Sequence, residues 1–157
     1  MEKTTLQKLV DPRLVLFDVA ATSREAAIRR LAARFYEAER ITDLEGYISA
    51  VLDRESSSST AVGFSIATPH AKTDFVGHAS LGFARLSDEI SWDDDERVRL
   101  VFLIGVPAKD AGDRHLRILA KLFRKFVDED FIATISAATN PADIVSLIDD
   151  IDQETSH

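Results

Sequence analysis

Apolar positions along this chain change period several times, and each change marks an element. Leu14 to Val19 (LVLFDV) is short, apolar and rich in β-formers, which predicts a buried strand. Ile28, Leu31, Ala32 and Phe35 then recur at i, i+3, i+4 and i+7, so a helix with one buried face is expected to about Glu39. Thr22-Ser23-Arg24-Glu25 reads as its capping box, with the Thr22 oxygen taking the Glu25 amide. A second box, Thr42-Asp43-Leu44-Glu45, opens a helix that turns Leu44, Ile48, Val51 and Leu52 inward and carries Arg54 at its end.

Ala79 to Leu86 and Val98 to Val106 are the clearest strands. The second is so continuously apolar that both its faces are expected to be covered, as in a central strand. Between them Ser87 to Glu96 (SDEISWDDDE) reads as an acidic turn in which Ile90 and Trp92 alternate like a short edge strand. From Asp113 the period is helical again, with Leu116, Leu119, Phe123 and Phe126 as the apolar stripe and Gly112 and Asp113 as turn and N-cap. Asp128 to Ala137 predicts a short helix, and Asn140-Pro141 supplies an N-cap and a first-turn proline for a last helix through Ile148. Interleaved helices and strands predict an α/β sandwich, a mixed central sheet flanked by helices.

Composition narrows this reading. With 157 residues, 45% of them apolar, residues 1–157 suit a single domain with a sizeable core. No Gly-, Ser- or Pro-rich run is long enough for a linker, and no internal repeat is present. A formal charge of −8 argues against a nucleic-acid partner, because phosphate backbones are held by Lys and Arg. No apolar run approaches the ~20 residues of a membrane span, and MEKTTLQKLV lacks a signal-peptide core. The chain has no cysteine, which removes disulfides and thiol nucleophiles. A cytoplasmic protein with no direct membrane insertion is expected.

The candidate chemistry lies at residues 59 to 72, STAVGFSIATPHAK. His70 directly follows Pro69, which fixes its own φ and pushes Thr68 toward extended backbone, so the imidazole sits on a stiff segment. Ser59, Thr60, Ser65 and Thr68 surround it with hydroxyls. Taken alone, His70 is either a structural histidine near a strand end or a positioned nucleophile. Arg54 is either a cation neutralising helix C-terminal carbonyls or a fork for phosphate oxygens. Thr60 and Ser59 either donate to a phosphoryl group or bond their own backbone. His115, at a helix start, is either a half-exposed histidine or a neutral imidazole placed to bind an anion. Arg114, Arg117, Lys121 and Arg124 recur at helical spacing, as a solvated face or as a surface that gathers phosphate or an acidic partner. His78 and His157 carry no assignment.

Thr60 to Lys72 resembles the active-site stretch of the fructose, mannitol and nitrogen-regulatory enzyme IIA domains (type 2) of the bacterial phosphotransferase system. Asp53-Arg54-Glu55 precedes it at the family's spacing, VRLVFLIGVP (Val98 to Pro107) resembles the following strand, and His115-Leu116 the second histidine motif. Ala61 and Ser65 stand where glycines are common, and Thr68 where an aliphatic residue is usual. The resemblance implies that His70 takes a phosphoryl group from phosphorylated HPr through its Nε2 nitrogen and passes it to a IIB component, in association with a membrane IIC complex. It implies catalytic roles for Arg54 and His115 and phosphate binding by Thr60 and Ser59. HLRILAKLFRKFVDEDF resembles the fructose branch, so sugar transport is favoured; a regulatory nitrogen-type IIA that controls partners by phosphorylation state is the alternative. No cofactor is expected, since neither GxxxxGK[ST] nor GxGxxG occurs, and two histidines without HExxH spacing fall short of a zinc site.

Overall fold

A computed structural model describes residues 8–110 and 114–155, with the side chains of Arg114, His115 and residues 151–155 outside the described set. The expected N-cap Asp113 and turn residue Gly112 therefore lie outside the described residues. After a short 3-10 turn, Pro12–Leu14, the chain forms β1 (Val15–Val19), α1 (Arg24–Glu37), α2 (Leu44–Ser57), β2 (Ala61–Gly63), β3 (Ile66–Ala67) and β4 (His70–Thr73). Two long strands follow, β5 (Ser80–Ser91) and β6 (Arg97–Pro107), and then α3 (Arg114–Phe126), α4 (Glu129–Ala137) and α5 (Pro141–Thr155).

Among the described residues the strands form one mixed sheet in the order β1-β5-β6-β3-β2, with β4 also pairing with β6. β5 and β6 are antiparallel; β1 runs parallel to β5, and β3 and β4 run parallel to β6. The central position expected for Val98 to Val106 is what β6 occupies, and its residues from Leu100 to Pro107 are buried.

Neighbours on a strand point to opposite faces, which fixes where the helices lie. Gly82 faces α1, since a Cβ there would meet Phe35 at 2.9 Å and Leu31 at 3.2 Å. Gly105, on the same face by register, lies against Tyr47 of α2, whose hydroxyl donates to the Ile104 carbonyl at 2.9 Å. Phe83 turns the other way and meets Phe102, which meets Phe126 of α3, at ring-centroid distances of 5.1 and 5.4 Å. α1 and α2 thus cover one face, and α3, with α4 and α5 packed on it, the other.

Several local expectations shift. The caps move one residue along: Ser23, not Thr22, takes the Ala26 amide at 3.1 Å, and Asp43, not Thr42, takes the Gly46 amide at 2.9 Å. A cap oxygen must reach the third helical amide, and Arg24 and Leu44 are already the first helical residues. The anticipated edge strand around Ile90 is instead the far end of β5, paired with β6 through Ile90 and Val98; Ile90 and Trp92 are both buried. The buried stripe of α3 is Ile118, Leu119, Leu122 and Phe126, whereas Leu116 and Phe123 lie at its exposed margin. α5 continues past Ile148 to Thr155.

Candidate functional site

Residues 59–73 reach the sheet through three short strands, and the turn between the first two has an uncommon backbone. Gly63, Phe64 and Ser65 all have positive φ, +89°, +58° and +64°. Two of the three are L residues held in a conformation that costs ~1–2 kcal/mol each. Ser65 therefore keeps the backbone that a glycine would adopt freely, and its carbonyl is fixed by the amides of Arg99 and Leu100 at 2.9 and 3.0 Å. Pro69 separates β3 from β4, and its carbonyl takes the Ile104 amide at 3.0 Å. The segment before His70 is thus tied at both ends to β6.

His70 is the first residue of β4 and is half-buried. It pairs in register with Ile104, which shares a face with Phe102, so His70 lies on the face that α3 covers. Its Nδ1 is 2.9 Å from the Thr68 carbonyl oxygen. A carbonyl only accepts, so this contact requires a proton on Nδ1 and leaves the lone pair of the neutral ring on Nε2. Burial lowers the His70 pKa below its ordinary value, and the Arg54 charge lowers it further; the Thr68 carbonyl and the Glu55 carboxylate act in the opposite direction. The site therefore favours a neutral imidazole whose lone pair is on Nε2.

Arg54 lies in the last turn of α2, and its guanidinium donates to the Ser58 carbonyl at 2.9 Å. That is the helix-end contact anticipated as the plain reading, and the same cation acts electrostatically on His70. Glu55, next along, is 2% exposed although it carries a carboxylate. It takes the Thr60 amide at 2.6 Å and the Thr60 hydroxyl at 2.7 Å.

These bonds change what the hydroxyls do. A Thr60 proton given to Glu55 is not available to a phosphoryl oxygen, so in this arrangement Thr60 holds the backbone. Ser59 takes the Ala61 amide at 3.2 Å, so it too serves its own turn. Ser65 donates to Glu89 at 2.7 Å, on the exposed side of the hairpin. His115 belongs to the first turn of α3; its side chain is outside the described residues. Sequence reasoning missed Glu55 and Trp92. The available signal was the acidic residue at the end of an apolar helix face, since Val51 and Glu55 are four apart and both buried.

Comparisons with known proteins identify the family. Residues 8–151 match the family described as "Phosphoenolpyruvate-dependent sugar phosphotransferase system, EIIA 2". The fructose-specific EIIA component of Haloferax volcanii is 36% identical over 132 residues, covering 83% of this chain and 85% of that protein. The 2-O-alpha-mannosyl-D-glycerate-specific EIIABC component of Escherichia coli K12 is 37% identical over 82% of this chain, which spans 20% of that longer protein. Among solved structures, the nitrogen regulatory protein IIA-Ntr of Neisseria meningitidis shares the fold with a TM-score of 0.81 at 22% identity, covering 89% of this chain and 96% of that one. On the match across most of its length, the chain belongs to the type 2 EIIA family of the phosphoenolpyruvate-dependent sugar phosphotransferase system.

Proposed function

We propose that this phosphotransferase-system IIA protein carries its phosphoryl group on His70 Nε2, accepting it from phosphorylated HPr and delivering it to a IIB component for uptake of a fructose-type sugar. The observation that carries the reading is the 2.9 Å contact from His70 Nδ1 to the Thr68 carbonyl, which directs the lone pair of the neutral ring to Nε2. In the forward step the Nε2 lone pair forms a bond to phosphorus while the donor's own N–P bond breaks, and that electron pair returns to the donor imidazole. No nucleotide takes part. Because the transition state is loose, the protein contributes mainly position and charge. Arg54 supplies the charge, and His115, on the first turn of α3, is assigned to phosphoryl binding near the positive end of the helix dipole.

The relatives support the acceptor and the branch. One is fructose-specific, and another joins A, B and C components in one protein, so a IIA module works there beside IIB and IIC parts. Among the described residues no helix is long and apolar enough to cross a membrane, which suits a cytoplasmic carrier that meets its partners by docking. The nitrogen-regulatory reading rests on likeness of fold to IIA-Ntr. The test is incubation with phosphoenolpyruvate, enzyme I and HPr, then with fructose-type IIB. One acid-labile phosphoryl group, absent from His70→Ala, is expected, followed by its transfer. Undiminished labelling of His70→Ala would refute the nucleophile, and labelling without transfer to any IIB would favour the regulatory role.

A further inference from the structure

The hydrogen bonds that fix His70 do not stop at Thr68. The Thr68 amide donates to the Thr60 carbonyl at 3.1 Å, and the Thr68 hydroxyl reaches the same oxygen at 3.4 Å. Thr60 is held by Glu55 through both its amide and its hydroxyl. A third donor meets the Glu55 carboxylate, the Trp92 indole N–H at 2.9 Å. Thr60, Thr68 and Trp92 are 6%, 1% and 2% exposed, so each link is shielded from competing water. Trp92 itself is anchored, its amide donating to the Glu96 carbonyl at 2.9 Å across the turn between β5 and β6. A continuous path therefore runs from the β5–β6 hairpin through Glu55, Thr60 and Thr68 to the imidazole.

We infer that Glu55, anchored by Trp92, is a positioning residue for phosphoryl transfer: through Thr60 and Thr68 it sets the carbonyl that fixes the tautomer and direction of the His70 ring. A carboxylate is kept out of water only where donors satisfy it, and here two of its three donors belong to one residue. Thr60 is consequently fixed in backbone and in side chain together. Methionine, of similar length, cannot reproduce this, because its thioether is at best a weak acceptor and leaves the Thr60 amide, the Thr60 hydroxyl and the Trp92 indole without their partner. An unconstrained Thr60 would release Thr68, and the Thr68 carbonyl would no longer select one ring nitrogen.

The inference rests on the carrier reading of His70, and the experiment separates the two. The full chain with 15N-labelled histidine is compared as wild type, Glu55→Met and Trp92→Phe, with the His70 signals assigned by their loss in His70→Ala. Ring 15N shifts report the tautomer with no phosphoryl donor present, and single-turnover labelling by phosphorylated HPr reports the rate. Wild type is expected to show one tautomer, with the lone pair on Nε2. Folded Glu55→Met is expected to show a mixture of tautomers and roughly tenfold slower labelling, with donor affinity unchanged. A single unchanged tautomer or an unchanged rate in folded Glu55→Met would overturn the inference. Should Glu55→Met not fold, Trp92→Phe decides: a mixed tautomer and slower labelling support the path, and wild-type values in both overturn it. A wild-type chain that takes no phosphoryl group at all would sink the carrier reading, while the tautomer comparison would still judge Glu55.

Discussion

Arg54 offers the sharpest test of the site, because its three effects differ in size and in pH dependence. Replacing it by alanine removes the 2.9 Å hydrogen bond to the Ser58 carbonyl at the end of α2. One such exposed contact contributes ~0.5–1.5 kcal/mol at most, a shift of a few degrees in Tm for a domain of this size. The second effect is on His70, whose pKa burial lowers first and the Arg54 charge lowers further, so Arg54→Ala raises it. The neutral ring is the nucleophile, so the labelling rate rises with pH through the His70 pKa and then levels off; in the variant that midpoint moves up. At pH 7 the consequence is small. A histidine at the ordinary ~6.5 is already about three-quarters neutral, so complete neutralisation raises the rate by no more than roughly 1.3-fold. The third effect is the loss of a charge-assisted contact to the transferring group, ~1.5–3 kcal/mol, or roughly 10- to 200-fold in rate. Rapid-quench labelling by phosphorylated HPr from about pH 5 to 8 distinguishes them. A folded Arg54→Ala protein should be slower by at least about tenfold on the plateau above pH 7. A deficit that disappears on the plateau would show that Arg54 acts only through protonation of His70, and the phosphate role would fall. Arg54→Lys, which keeps the charge and loses the planar fork, should lie between the two.

His115→Ala should still form phospho-His70, since the nucleophile remains, while onward transfer to IIB slows; single-turnover rates of both half-reactions check this, and an unchanged second step or an abolished first step would refute it. Gly82→Ala puts a Cβ 2.9 Å from Phe35 and 3.2 Å from Leu31, so it should destabilise the chain by ~1–3 kcal/mol in urea denaturation, and a neutral result would mean that α1 stands off the sheet more than the structure indicates.

Much of this architecture was legible in the sequence because it depends on period. The helical repeat of Ile28 to Phe35 and the unbroken apolar run of Val98 to Val106 determine α1 and β6 almost by themselves. His70 stood out because Pro69 stiffens its approach, and the family motif gave it a role. What escaped was the pairing of particular atoms. Thr60 reads as a hydroxyl beside a turn, and only the folded chain shows the Glu55 carboxylate, five residues away, accepting its hydrogen bond. Trp92 sits in an acidic run that looks like a solvated turn, yet the β5–β6 pairing continues far enough to bury it. On α3, period alone could not say where the core ends, so Leu116 and Phe123 were assigned inward although the helix turns them toward its margin.

The bonds that tie the segment before His70 to β6 also order events in time. Ser65 gives its carbonyl to Arg99 and Leu100, Pro69 to Ile104, and His70 itself is in register with Ile104. Every one of those partners is made after His70 during synthesis, and each pairing is parallel or loop-closed, so none arises from local chain alone. Trp92, the far anchor of Glu55, also comes later. A nascent chain therefore displays its histidine long before it has a carbonyl in place to choose between the two ring nitrogens. The ordered site arrives only when the β5–β6 hairpin has been delivered and the earlier segment has docked on it, so an unfinished or misfolded copy presents the histidine without its fixed tautomer and competes for phosphate more slowly than the finished ones.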